Sequence, residues 1–367
     1  MPGLDVMRGL AISMVLLYHG TAEHDAAFQS VGNRFALWLR DLLVMGKWGV
    51  HLFFILSGFL ITGILLDSRS KADYFRNFYL RRVLRIVPAY LAMLLVLVLT
   101  RSISVRYLIT CLFYFCNMTA VFGAHPEYGP FWSLSVEEQF YLIWPFIIRK
   151  LSMRNLALLS AGLLVFTPVL RLALLYGPNS LRDIHYKTWD VMDFFAAGSC
   201  IAMAVRSSRL RPHLSRAVAP LLMSGALILG LQLLIPAPSR PLLQNIGQAT
   251  LSEPWLLAFS GLIVLAYLRP GIAAVAAARP LVSLANISYG LYLCHVFFFD
   301  LIGRHWPERS TAALSPAMKA LVQFAVELAV SITVAYISRY TLEQYFLRRK
   351  PHHPRTSSRH STATEIA

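Results

Sequence analysis

Ten stretches of the chain are apolar enough to cross a bilayer, and polar or basic loops separate them. A crossing helix needs roughly 20 mostly apolar residues. The pattern predicts such helices at 5–20, 45–66, 84–100, 134–148, 155–176, 190–205, 217–235, 252–268, 281–303 and 317–340. An apolar run at 105–122 is either an eleventh span or a re-entrant segment. The expected class is therefore all-α: a polytopic integral membrane protein with about ten transmembrane helices, eleven if 105–122 also crosses.

Composition sharpens this reading. The chain is 57% hydrophobic and only 14% charged, yet carries 34 Lys+Arg against 18 Asp+Glu, a net charge of +16 over 367 residues. Soluble domains average about 25% charged residues. Disorder is excluded for the bulk of the chain, because it needs low hydrophobicity. A nucleic-acid partner is not expected, since its basic residues would cover a soluble surface. With the N-terminus in the cytoplasm and ten alternating spans, 20 of the 34 basic residues fall in inner loops and ten in outer loops. That bias fits both termini being cytoplasmic, and an eleventh crossing would spoil it. The run 105–122 is therefore expected to be re-entrant or to lie against the outer face.

Residues 1–346 are expected to form one membrane domain, and 347–367 a disordered, basic cytoplasmic tail. The tail histidines lack regular ligand spacing, so no metal is expected. Arg8 sits in the first turns of the first apolar run and no small-x-small site precedes Glu23, so that run is expected to stay as an uncleaved span. Cys111, Cys116, Cys200 and Cys294 lie in or beside apolar runs and read as small packing residues.

Ionisable groups inside a membrane are costly and so mark candidate functional sites. Arg8 and His19 are 11 residues apart, which puts them within about 20° on one helix face and about 16 Å apart along the axis. Snorkelling to the two headgroup regions satisfies that spacing equally well. Arg81, Arg82 and Arg85 open the third span among Tyr74, Phe75, Phe78 and Tyr79. Guanidinium forks suit phosphate oxygens, and anchoring to anionic lipid headgroups is the competing account. In 129–146, Ser135 and Glu138 have capping-box spacing. Glu137 has no such structural duty, shares a face with Tyr141, and is placed at the depth of His19, where a carboxylate can orient an imidazole. Ser57 and Gly58 sit mid-span, where small residues allow close helix packing. His295, near Tyr289 and Tyr292, reads more simply as a buried, hydrogen-bonded residue.

Taken in order, LDVMRGLAISMVLLYH, GVHLFFILSGFLIT, FYLRRVLRIVPAY, FWSLSVEEQFYLIWP and ISYGLYLCH resemble the motifs of acyltransferase family 3. These membrane proteins O-acylate polysaccharides, lipo-oligosaccharides and some secondary metabolites. The matches frame the chain from Leu4 to His295. The resemblance implies acyl-CoA, usually acetyl-CoA, as cytoplasmic donor, and a hydroxyl of a glycan or lipid-linked oligosaccharide as acceptor, in a bacterial cytoplasmic (inner) membrane. The family's arginine-x10-histidine pair falls on Arg8 and His19, its basic motif on Arg82 and Arg85 beside Arg81, and its acidic residue on Glu137. Read with the residue chemistry, His19 is expected to be the general base, oriented by Glu137, in direct transfer or by way of an acyl-histidine, with Arg8, Arg81, Arg82 and Arg85 on the donor. Ser57, Tyr141 and His295 are expected to line the substrate path. Many members carry T-x-x-R-x-D in the sixth span; here TWDVMDFFAAG puts Val191 at the arginine position and keeps Asp193 and Gly198. The esterase-like domain of longer members is not expected, which suggests the short, stand-alone type. Intramembrane Arg, His and Glu also mark proton-coupled transporters, and an export subunit without chemistry, or an enzyme acting on a small metabolite such as a macrolide, stays open.

Overall fold

The computed structural model describes residues 1–176, 186–234, 241–275, 278–307 and 313–349; most of the predicted tail lies outside them. All regular elements among the described residues are helical. Among the described residues, seven helical segments are long and apolar enough to cross a membrane, so the chain is a multi-pass membrane protein. The central helices are α1 (Pro2–Glu23), α4 (Gly49–Ser68), α5 (Tyr74–Leu99), α7 (Phe131–Lys150), α9 (Met192–Arg206) and α13 (Arg279–Arg304). Between α1 and α4 lie two short helices, α2 (Asp25–Val31) and α3 (Arg34–Val44). The periphery holds α8 (Met153–Leu175), α10 (Leu214–Leu234), α11 (Pro241–Ala249) and α14 (Pro316–Ser338), while α12 (Glu253–Leu268) buries Leu256, Phe259, Ile263 and Val264 and meets α1 where Gly3 lies on Ala266. Helices α8, α10 and α14 leave Val165, Phe166, Met223, Leu227, Leu321 and Ile337 exposed, as lipid-facing helices do.

Three predicted spans, in α1, α7 and α9, fall outside the seven. Helix α9 has 15 residues and rises only about 22 Å. Helices α1 and α7 carry the polar side chains that face inward. The run 105–122 is not one helix. It forms α6 (Val105–Leu112), a break at Tyr114 with φ of 56°, and a 3-10 turn over Cys116–Phe122. Eight helical residues rise about 12 Å, far short of a roughly 30 Å core. Side-chain bonds pin this segment to the bundle: the Tyr90 hydroxyl donates to the Cys111 carbonyl (2.9 Å), the Tyr107 hydroxyl to the Tyr128 carbonyl (2.8 Å), and the Tyr128 hydroxyl to the Leu293 carbonyl (2.6 Å). The thiols of Cys111 and Cys116 meet here, with their sulfurs 2.7 Å apart. They are therefore partners and not two separate packing residues.

Helix α5 begins ten residues before the predicted span, so the arginine cluster is helical throughout. The capping box expected of Ser135 and Glu138 is absent. Helix α7 starts at Phe131, three residues before its predicted span, and its cap residue Pro130 offers no side-chain bond. Ser135 instead donates back to the Phe131 carbonyl (2.9 Å) and accepts from the Cys116 amide (3.2 Å).

Two glycines set the close contact of α4 with α9. A Cβ on Gly58 would lie 2.2 Å from the Phe195 carbonyl oxygen, and one on Gly198 would lie 2.1 Å from that of Ile55. Only glycine lets α4 and α9 touch this way. A polar relay adds to the contact: Trp144 Nε1 donates to the Thr62 hydroxyl (2.8 Å), which meets the Ser199 hydroxyl (2.8 Å), which donates to the Phe195 carbonyl (2.8 Å). In a medium without water such bonds have few competitors. Helices α4, α7 and α9 run one way. Helices α1 and α13 run the other, with Gly9 on Leu281 at one end and His19 on His295 further along.

Candidate active site

Three cavities lie in series along α4. The first, about 280 Å³, is the mouth at the C-terminal end of α4 and is walled by Asp67, Lys71, Asn77, Arg81 and Arg82. The second, about 170 Å³, occupies the middle and is lined by Arg8, Ser57, Arg82, Arg85, Glu137 and Tyr141. Ile64 and Arg82 border both. The third, about 570 Å³, holds His19, His51, Lys47, Lys187, Trp48 and Trp132 among its walls. It meets the middle cavity at Val50 and Tyr292, which line both. From Ser68 to Val50 the helix rises about 27 Å, close to the thickness of a hydrocarbon core.

Helix geometry explains this placement. Arg8 lines the middle cavity and His19 the far one, as their shared face and axial offset require. Asp5, one turn before Arg8, accepts from its Nη1 at 2.7 Å. Arg82 stacks over the Tyr141 ring, 4.9 Å from its centroid, and over Phe78 at 5.8 Å. Such stacking holds a planar guanidinium flat while its edges stay available to a ligand. Arg81 faces the mouth, so the arginine cluster is divided between two cavities.

Glu137 sits in the middle cavity. The Ser57 hydroxyl donates to its Oε1 at 2.8 Å and the Tyr141 hydroxyl to its Oε2 at 3.3 Å; the two hydroxyls are themselves 2.9 Å apart. This corrects the expectation that Glu137 orients His19. The two residues line different cavities, and the groups on Glu137 are Ser57 and Tyr141. The depth estimate failed because α7 starts earlier than expected, which moves Glu137 further into the bundle.

The partner of His19 is His295, whose Nε2 lies 3.2 Å from His19 Nδ1. His295 is fully buried and borders none of the three cavities, so its expected lining role is replaced by contact with His19. Ser57 and Tyr141 do line the middle cavity. The Tyr292 hydroxyl, at the junction, is hydrogen-bonded to the Ser133 hydroxyl.

Some residues escaped the sequence reading. His51 is buried against the rings of Trp48 and Phe194 at the floor of the far cavity. Arg171 is fully buried, and its Nη2 donates to Asp193 and Glu253, both at 2.5 Å. Asp193 thus has a guanidinium partner from α8 in place of one at position 191. Glu327 is buried between His24 (3.2 Å) and Gln323 (2.9 Å). The rule that intramembrane charges are functional or paired points to both Arg171 and Glu327. No metal-holding group of His, Cys, Asp and Glu occurs among the described residues.

Comparison with known proteins now decides the family. The profile described as "Acyltransferase domain", that of acyltransferase family 3, matches residues 1–340. The chain belongs to acyltransferase family 3. It is similar to the O-acetyltransferase OatA of Staphylococcus aureus, 26% identical over 332 residues, which is 80% of this chain and 50% of OatA. It is also similar to the peptidoglycan O-acetyltransferase OatA of Listeria monocytogenes, 28% identical over 326 residues, 80% of this chain and 48% of that protein. The chain spans about half the length of these curated relatives. No solved structure matches it.

Proposed function

We propose that the protein is an integral-membrane O-acyltransferase that moves an acyl group, most simply acetyl, from cytoplasmic acyl-CoA to a glycan hydroxyl on the other side of a bacterial cytoplasmic membrane. The observation that carries this reading is the series of three cavities along α4, with arginines at one end and a histidine at the other. The relatives' names, O-acetyltransferase and peptidoglycan O-acetyltransferase, support acetyl as the group and a glycan as the acceptor. In this reading the chain has ten spans with both termini inside, and lipid surrounds the bundle; α7 running with α4 and α13 running with α1 fit that alternation without a crossing at 105–122.

In this reading the donor phosphates rest on Arg81, Arg82 and Arg85, where guanidinium forks match phosphate oxygens. The pantetheine arm fills the narrow middle cavity past Arg8, and the thioester reaches the Tyr292 junction. The acceptor enters the far cavity, whose tryptophans offer flat apolar faces to sugar rings. His19 takes the proton of the acceptor hydroxyl as its oxygen bonds to the thioester carbon. The C–S bond then breaks as the His19 imidazolium returns that proton to the CoA sulfur, which leaves as the thiol. A general base of this kind contributes about 10²–10⁴ in rate.

The test is transfer of radiolabel from acetyl-CoA to candidate glycan acceptors by the protein purified in detergent, wild type against His19→Ala. The wild type should transfer label and His19→Ala should lose at least about 100-fold. A wild type that neither hydrolyses nor transfers overturns the enzyme reading in favour of transport or an export subunit. Full transfer by His19→Ala removes the assigned base.

A further inference from the structure

His19 and His295 touch through one nitrogen of each ring, and the other contacts of those nitrogens fix where the protons sit. His295 Nδ1 lies 3.1 Å from the Leu291 carbonyl oxygen and 2.9 Å from that of Tyr292. Carbonyl oxygens only accept, so Nδ1 of His295 carries a hydrogen. His19 Nδ1 lies 3.0 Å from the Val15 carbonyl oxygen, so it carries a hydrogen by the same reasoning. Two N–H groups cannot both point along the 3.2 Å contact between the rings. The Nε2 of His295 is therefore bare and accepts, and the His19 Nδ1–H is shared between it and the Val15 carbonyl. The reverse arrangement, with His295 donating from Nε2, would leave the bare Nδ1 of His19 facing the Val15 oxygen, two lone pairs at 3.0 Å.

We propose that His295 is a positioning residue: it holds His19 as the Nδ1–H tautomer, so that Nε2 presents its lone pair to the far cavity. When Nε2 takes a proton from the acceptor, His19 becomes an imidazolium, and its Nδ1–H bond to His295 becomes charge-assisted and stronger. The neutral ring of His295 performs what a carboxylate does behind the histidine of a serine-protease triad. A neutral acceptor suits this place, because a carboxylate as fully enclosed as His295 would carry a large desolvation cost. Helix packing makes the arrangement rigid. A Cβ on Gly9 would lie 2.0 Å from the Leu281 carbonyl oxygen, so α1 and α13 are in backbone contact ten residues before His19 and fourteen before His295.

The inference rests on His19 being the base, and the test separates the two. In the transfer assay, wild type is compared with His295→Gln, His295→Asn and His295→Leu, and with His19→Ala. Glutamine is long enough to put an amide oxygen where Nε2 was; asparagine is polar but too short; leucine cannot accept. Loss of one buried bond to a charged group predicts kcat lower by about 10- to 100-fold in His295→Leu and His295→Asn. The KM for either substrate should stay within about twofold, and His295→Gln should recover most of kcat. Size-exclusion profile and melting temperature in detergent report folding. If His295→Leu does not fold, the comparison of glutamine with asparagine decides. Wild-type kcat in His295→Leu or His295→Asn, equal loss in a folded His295→Gln, or a change confined to KM overturns the proposal. Full activity of His19→Ala instead overturns the base assignment itself.

Discussion

Arg171→Met removes a guanidinium that α8 shares with two acidic residues from other elements. The side chain is fully buried; Nη2 donates to Asp193 and Glu253, each at 2.5 Å, and Nη1 to the Ser252 hydroxyl at 2.7 Å. Two carboxylate oxygens that are each 2.5 Å from one nitrogen lie at most 5.0 Å from each other. Without the cation, Asp193, which has no exposed side-chain surface, faces a second carboxylate with nothing between them. Breaking such a buried pair from one side costs about 3–5 kcal/mol, most of it the uncompensated charge left behind. Methionine fills much of the volume, so the cavity contribution is small. Thermal unfolding in detergent, followed by tryptophan fluorescence, should show Arg171→Met melting several degrees below wild type. Adding Asp193→Asn removes one of the two stranded charges and should return about 1–3 kcal/mol of the loss. The reasoning is refuted if Arg171→Met melts with wild type, or if the double variant is no more stable than the single one.

Gly198→Ala should destabilise by about 1–3 kcal/mol, because its Cβ meets backbone of α4 that cannot turn aside. Gly162→Ala, where a Cβ meets nothing within 4 Å, is the matched control and should be neutral or stabilising by up to about 1 kcal/mol; equal melting of the two variants would contradict the close contact. Ser57→Ala and Tyr141→Phe each remove a donor to Glu137 and should each cost about 1–3 kcal/mol, with a double-mutant cycle showing coupling of at least about 0.5 kcal/mol; strict additivity would mean that the three groups do not act together. Arg82→Ala with Arg85→Ala should weaken CoA binding by about tenfold or more in calorimetry while acceptor affinity holds, and an unchanged CoA affinity would remove the phosphate role.

Apolar runs of membrane length survive in the structure because in lipid the backbone satisfies itself and little else competes. The spans at 252–268 and 281–303 match α12 and α13 within two residues. Helix starts fared worse. Neither α5 nor α7 begins where its apolar run does, because Tyr74–Val83 and Phe131–Ser133 extend the helices through polar or aromatic positions that tertiary contacts hold. The side chains that line the cavities were legible one at a time, since Arg8, His19, Ser57, Arg82, Arg85, Glu137 and Tyr141 each stand out in an apolar context. Their grouping was not. The spacing of Arg8 and His19 lies within one helix and can be computed, whereas the contacts of His19 with His295 and of Glu137 with Ser57 depend on how separate helices pack. Intramembrane charge alone gave no means to tell a cavity residue such as Arg82 from a sealed pair such as Arg171 with Asp193.

The glycine contact between α4 and α9 has a mechanical consequence. With no side chain between the two backbones, and with Thr62 and Ser199 bonded across them, the pair behaves as one stiff post. The opposite side of the middle cavity is built differently. Helix α5 carries Arg82 and Arg85 there, has Pro88 inside it, and is held to α13 near that proline by the Tyr289 hydroxyl on the Ile86 carbonyl (2.7 Å). A proline within a helix leaves a carbonyl without its usual donor and gives the helix a place to bend. If the passage widens, then, the post stays still and the arginine-bearing wall swings, so that the grip on one ligand and the width of the channel change together.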